Sequence, residues 1–157
     1  MATITEDYVS FETAKLLKEK GFDEPCTYLW FFEKTNNPEV DDNGVYKIPI
    51  KNHTENDYWN NTSIELFKKE SEYWNDNIDI FACPTLQMAM KWIREMHNLF
   101  IELYVVKNYS NKKLEYTYSI QDLDFQGSDD GIECCKNFDT PEQASEAAIK
   151  YCLENLI

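Results

Sequence analysis

The chain has 157 residues, a length that suits one domain with a sizeable core, and 43% of it is apolar with 10 Tyr, 9 Phe and 4 Trp, which excludes an intrinsically disordered tail. Its formal charge of -14, from 29 acids against 15 bases, repels phosphate backbones and argues against direct nucleic-acid binding. No run approaches the length of a membrane span, the N-terminus lacks the basic and apolar regions of a leader, and five cysteines without a CxxC pair suit a reducing compartment, so a cytoplasmic location without membrane contact is expected.

Ser10 is placed to cap a helix over 11–20, with Phe11, Ala14 and Leu17 on one face, Glu12, Lys15 and Glu19 on the wet side, and Gly21 as its stop. The run from Cys26 to Phe32 is too short and aromatic for a helix and reads as a buried strand. A turn-rich loop over 35–44 leads to its predicted hairpin partner, 45–50, which Pro49 confines to an edge. Residues 51–83 are punctuated by Asn52, Asn56, Asn60, Asn61, Asn75 and Asn77, and are expected to form an insert holding a short helix or strand over 64–70 and a short strand over 78–83.

Thr85 opens the next helix, whose apolar stripe is Leu86, Ala89, Met90, Trp92, Ile93 and Met96, and His97-Asn98 ends it with His97 as a dipole-satisfying cap. Strands over 99–107 and 113–121 form an antiparallel hairpin, because Leu114, Tyr116, Tyr118 and Ile120 alternate with polar residues and 108–111 is a polar link. Thr140-Pro141-Glu142-Gln143 reads as a capping box for a last helix that buries Ala144, Ala147, Ala148, Tyr151, Cys152 and Leu156. The order α-β-β-(insert)-α-β-β-α predicts one α+β domain over 1–157, with the insert at 51–83. Its economical packing is an antiparallel sheet of about four strands with helices on one face.

Three segments carry a resemblance: Phe11 to Cys26 (FETAKLLKEKGFDEPC), Pro84 to Glu95 (PTLQMAMKWIRE) and Ala144 to Ile157 (ASEAAIKYCLENLI). They resemble a group of small proteins carried by gut bacteria of the Bacteroides type and by their prophages and mobile elements. The resemblance covers both ends and the middle helix. It implies a cytoplasmic protein in a phage or mobile-element context, and brings no activity or catalytic residue with it.

Few constellations suggest chemistry. Asp122 to Glu133 has the acid spacing of a twelve-residue calcium loop with Gly127 at the sharp turn, but Gln126 and Asp129 break its pattern and a strand precedes it where a helix is required. An acidic, solvated connection is the plainer reading, and no metal is expected. His53 and His97 are the only histidines, so His-based hydrolysis has little material, and the vicinal Cys134-Cys135 pair lacks a basic cluster to activate it. The four glycines form no phosphate-cradling loop, so no cofactor and no catalytic residue are assigned. Tyr28, Trp30, Phe32, Tyr104, Tyr116 and Tyr118 are material for a base-stacking platform, although core packing explains most of them.

Charge divides unevenly. Residues 84–120 hold five bases (Lys91, Arg94, Lys107, Lys112, Lys113) against three acids, whereas 121–157 hold two bases against nine acids. The sequence therefore points to a non-enzymatic, acidic interaction protein with an unidentified protein partner, for which Asp122, Asp124, Asp129 and Asp130 are the candidate binding residues. Two alternatives stand beside it: a nucleic-acid mimic that occupies a host DNA-binding protein, and a small enzyme using carboxylates of the 51–83 insert.

Overall fold

The computed structural model describes residues 6–33, 45–49, 59–70, 78–124 and 131–157. The fold is α+β. It comprises two compact units, one formed by Tyr8–Pro84 and the other by Thr85–Ile157 with the described part of 1–7.

In the 8–84 unit, α1 (Phe11–Glu19) starts where Ser10 Oγ accepts a hydrogen bond from the Thr13 N–H at 3.3 Å, the cap its sequence predicts. Gly21, at φ +91°, supplies the left-handed turn that ends it. Strand β1 (Tyr28–Glu33) is the centre of a three-stranded antiparallel sheet, flanked by β2 (Val45–Pro49) and, on its other side, by β3 (Ile78–Ala82). Helix α1 packs on β3, and its Phe11 ring lies 6.4 Å from Trp30, 5.6 Å from Phe32 and 5.2 Å from Phe81. Helix α2 (Asn61–Glu70) is tied to α1 by the Lys18–Glu65 ion pair and to the core by Ile64. Asn61 is buried, donates from Nδ2 to the Phe22 carbonyl at 2.8 Å and accepts at Oδ1 from the Ala82 N–H at 3.0 Å. The ends of the unit meet, since Val9 N–H donates to the Pro84 carbonyl at 3.1 Å. The segment expected as an insert thus supplies a helix and a strand to this unit, with Ile64 and Ile80 in its core.

In the other unit, α3 (Leu86–His97) begins at Thr85, whose Oγ1 accepts from Met88 N–H at 3.1 Å, and Leu86 N–H reaches the Asp7 carbonyl at 2.9 Å. Its C-cap is Asn98 at φ 54°, not His97, which packs edge-on against Trp92 with centroids 4.7 Å apart. Strands β4 (Leu99–Asn108) and β5 (Lys113–Asp122) form the predicted hairpin. A third strand, β6 (Ile132–Glu133), pairs with β5 and completes the order β4-β5-β6. The entry to β6 requires Gly131, at φ +60°, where a Cβ would stand 3.0 Å from the Ile120 carbonyl oxygen.

Helix α4 (Pro141–Asn155) is capped by Thr140 and packs, like α3, on the sheet face that carries Leu99, Tyr118 and Ile120. Its buried stripe is Ala144, Ser145, Ala148, Ile149, Cys152 and Leu153. The expected stripe was rotated: Ala147 and Tyr151 are half-buried and Leu156 is exposed, because Ile149 and Leu153 carry more apolar area into the core than Ala147 offers. The strands therefore divide between two three-stranded sheets instead of joining one of about four. Each hairpin finds its third strand within its own unit.

Candidate functional site

The β4–β5 register sorts side chains onto two faces. Leu99, Ile101, Leu103, Val105 and Lys107 share the helix-covered face with Ile120, Tyr118, Tyr116 and Leu114. The opposite face carries Phe100, Glu102, Tyr104, Val106 and Asn108 with Gln121, Ser119, Thr117 and Glu115.

That opposite face is a network of short polar contacts. Tyr104 Oη donates to Glu102 Oε2 at 2.7 Å and lies 3.2 Å from Ser119 Oγ. Glu115 accepts from three carboxamides, Asn108 at 2.9 Å, Asn111 at 3.1 Å and Asn137 at 2.8 Å. Those donors hold its carboxyl below the ordinary glutamate range. The expected stacking platform does not assemble here. Tyr28, Trp30 and Phe32 belong to β1 of the other unit, Tyr116 and Tyr118 turn to the helix-covered face, and of the six only Tyr104 lies on this one.

The acidic candidates prove to be local fasteners where the structure describes them. Asp122 Oδ1 accepts from Asp124 N–H at 2.9 Å, and Asp124 Oδ2 accepts from Asn98 Nδ2 at 2.9 Å. With Leu123 N–H on the Asn98 carbonyl at 2.7 Å, they join the end of β5 to the C-cap of α3. Asp129 and Asp130, most of the calcium-like loop's centre, and His53 lie outside the described residues. Among the described residues no three His, Cys, Asp or Glu side chains gather to hold a metal.

Of the thiols, Cys134 is half-buried and Cys135 exposed, whereas Cys26, Cys83 and Cys152 are buried. Burial pushes the Cys26 and Cys152 thiols up to about 12, which removes them from nucleophilic chemistry at neutral pH. Among the acids of 51–83, Glu65 is held below the ordinary glutamate range, first by its hydrogen bond from Lys18.

A surface that the sequence did not reveal lies along β4, the terminal strand of its sheet. Tyr116 pairs its N–H and C=O with Phe138, and the Tyr118 carbonyl accepts from Cys134 N–H, so even-numbered β5 residues turn their backbone groups away from β4. Odd-numbered β5 residues therefore bond to Phe100, Glu102, Tyr104 and Val106. By the same alternation, the N–H and C=O groups of Ile101, Leu103, Val105 and Lys107 point out of the sheet's margin, where no strand among the described residues meets them.

Beside this margin lies a hollow of about 230 Å³ lined by Gln87, Met90, Lys91 and Arg94 of α3 and by Phe100 and Ile101 of β4. Lys91 and Arg94 stand over it with only loose partners, Glu95 at 3.9 Å and 3.6 Å respectively. At the far end of the hairpin Val105, Tyr109 and Leu114 are 58%, 87% and 55% exposed, beside Lys107, Lys112 and Lys113. The five bases thus do not share one face: two lie on α3 and three at the hairpin end.

No helix among the described residues is long and apolar enough to cross a membrane. Comparison of the chain with protein-family models, with curated proteins and with solved structures finds no match.

Proposed function

We propose that the chain is a non-enzymatic protein-interaction module of phage or mobile-element origin, and that it engages its partner through the β4–β5 hairpin. The observation that carries this reading is the exposure of Val105, Tyr109 and Leu114 together at the hairpin end. Such side chains sit at the water surface of a rigid sheet at a cost of about 25 cal/mol for each Å² of apolar area, and a partner that covers them recovers it. The origin is supported by the resemblance of the three helical segments. The net charge of -14 acts at longer range, excluding other acidic macromolecules and steering a partner that presents a basic rim.

The test is affinity capture from host cells with the native chain and with a Val105→Asp, Leu114→Asp variant, followed by calorimetry on each protein recovered. Both positions are exposed, so the variant keeps its fold, checked by circular dichroism. A partner that binds the native chain and loses about tenfold or more in affinity for the variant supports the reading. Equal binding of every recovered protein to both refutes it.

A further inference from the structure

We propose that the margin of β4, which no strand among the described residues meets, is with the hollow between it and α3 a docking groove for an extended peptide segment of a partner protein that carries apolar residues and one or two carboxylates at alternate positions. This rests on the interaction reading above and names the partner's chemistry.

The backbone supplies the first half of the recognition. Ile101, Leu103, Val105 and Lys107 present outward N–H and C=O groups over most of a ten-residue strand. A chain that adds there as a fourth strand satisfies them in register, and sheet margins capture peptides by this means.

Side chains supply the second half. A docked strand points alternate residues to the helix-covered side, where the hollow offers Met90 and Ile101 as an apolar floor and Lys91 and Arg94 as its rim. The two cations are three residues apart on α3, a rise of about 4.5 Å along a helix, and same-face residues of a strand repeat at about 6.6 Å. Both side chains are long enough to bridge that difference, so two successive inward carboxylates meet one cation each.

Charge selects the occupant. Residues 84–120 have a positive balance, five bases against three acids, in a chain whose formal charge is -14. At physiological salt the screening length is about 8 Å, so a carboxylate seated in the groove responds to the charges close by, Lys91 and Arg94 against the one Glu95 they share, and not to the net charge of the whole chain. A second copy of this chain would bring its own Lys91 and Arg94 to the same margin, and like charges across the new pair disfavour it.

The full-length chain is panned against a displayed library of random decapeptides, and enriched sequences are remade as fluorescent peptides for polarisation titration. The expected ligands carry apolar residues and one or two of Asp or Glu at alternate positions, all of the same parity. They lose about tenfold or more in affinity for a Lys91→Glu, Arg94→Glu variant. That variant regains affinity for the same peptides with Lys in place of Glu. Binding is also lost on N-methylation of alternate peptide amides, and on Val105→Pro, which removes an outward N–H without touching the β4–β5 ladder. Three results overturn the proposal: no enrichment, ligands without acidic bias or indifferent to both variants, and a chain that sediments as a dimer dissociated by Val105→Pro. If the hairpin-end variant still loses its captured partner while panning fails, the groove assignment falls and the interaction reading stands.

Discussion

Asn61 is the residue whose replacement by an apolar isostere tests most directly how the 8–84 unit is held together. Its carboxamide joins the Phe22 carbonyl and the Ala82 N–H, at 2.8 Å and 3.0 Å, and Phe22 and Ala82 are each 1% exposed. Asn61→Leu keeps the branching of the side chain, adds volume, and removes both hydrogen bonds, which leaves the buried Ala82 N–H without the acceptor that Asn61 gives it. A buried unsatisfied group costs about 1–3 kcal/mol and a lost hydrogen bond about 1 kcal/mol, so the variant should lose about 2–4 kcal/mol, partly offset by the apolar burial of leucine. Against a typical total of about 5–15 kcal/mol that is a large shift. Asn61→Asp sharpens the test, since a carboxylate still accepts from Ala82 but has no proton for the Phe22 carbonyl. Its deficit should shrink as pH falls and the acid regains a donor. Urea unfolding followed by tryptophan fluorescence reads both variants. An Asn61→Leu chain as stable as the native one would show that Asn61 does not clamp α2 to α1 and β3.

Three further outcomes follow from burial and pKa. Titration of the folded chain at pH 8 with a chromogenic disulfide should modify Cys135 rapidly and Cys134 more slowly, while Cys26, Cys83 and Cys152 react only on unfolding. Ala148→Asp, at a position with no exposure in the α4 stripe, should bury an unpaired charge and cost about 3–5 kcal/mol in a denaturant midpoint. Glu115→Gln should lower the melting temperature at pH 7 and cease to matter at low pH. The folded carboxyl is depressed by Asn108, Asn111 and Asn137, so its contribution is present above the ordinary glutamate range and lost as pH falls through the lower folded value.

What the sequence made legible was local. Ser10, Thr85 and Thr140 announce three helix starts because each cap is a contact between residues three apart, and all three accept the bond expected of them. The alternation of Leu114, Tyr116, Tyr118 and Ile120 gave the β5 face correctly for the same reason. Pairing between distant strands leaves no such mark. Nothing in Ile78 to Ala82 says that it lies beside β1, so the sequence predicts a short strand over 78–83 without a partner and one sheet where there are two. On α4, apolar residues occur almost all round, and period alone did not choose Ile149 and Leu153 over Ala147 and Tyr151. Asp122 and Asp124 stand out in the sequence by charge density, and the structure adds their local bonds to each other and to Asn98, which density does not show; Lys91 and Arg94 gain their interest from lying beside a strand that no other strand meets on that side among the described residues.

The meeting of Val9 with Pro84 also bears on the order of events in folding. One unit is written without interruption, but the other is split by it, and the Asp7–Leu86 hydrogen bond that belongs to the split unit must close a circuit through every residue of its guest. With the guest unfolded, that closure spans roughly eighty residues. With Val9 and Pro84 already joined, it spans a handful, a saving of about 2–3 kcal/mol in chain entropy by the logarithmic law of loop length. The guest should therefore form first and act as a splint for its host, so that a lesion such as Asn61→Leu, which destabilises the guest, also raises the entropic cost of closing the Asp7–Leu86 bond.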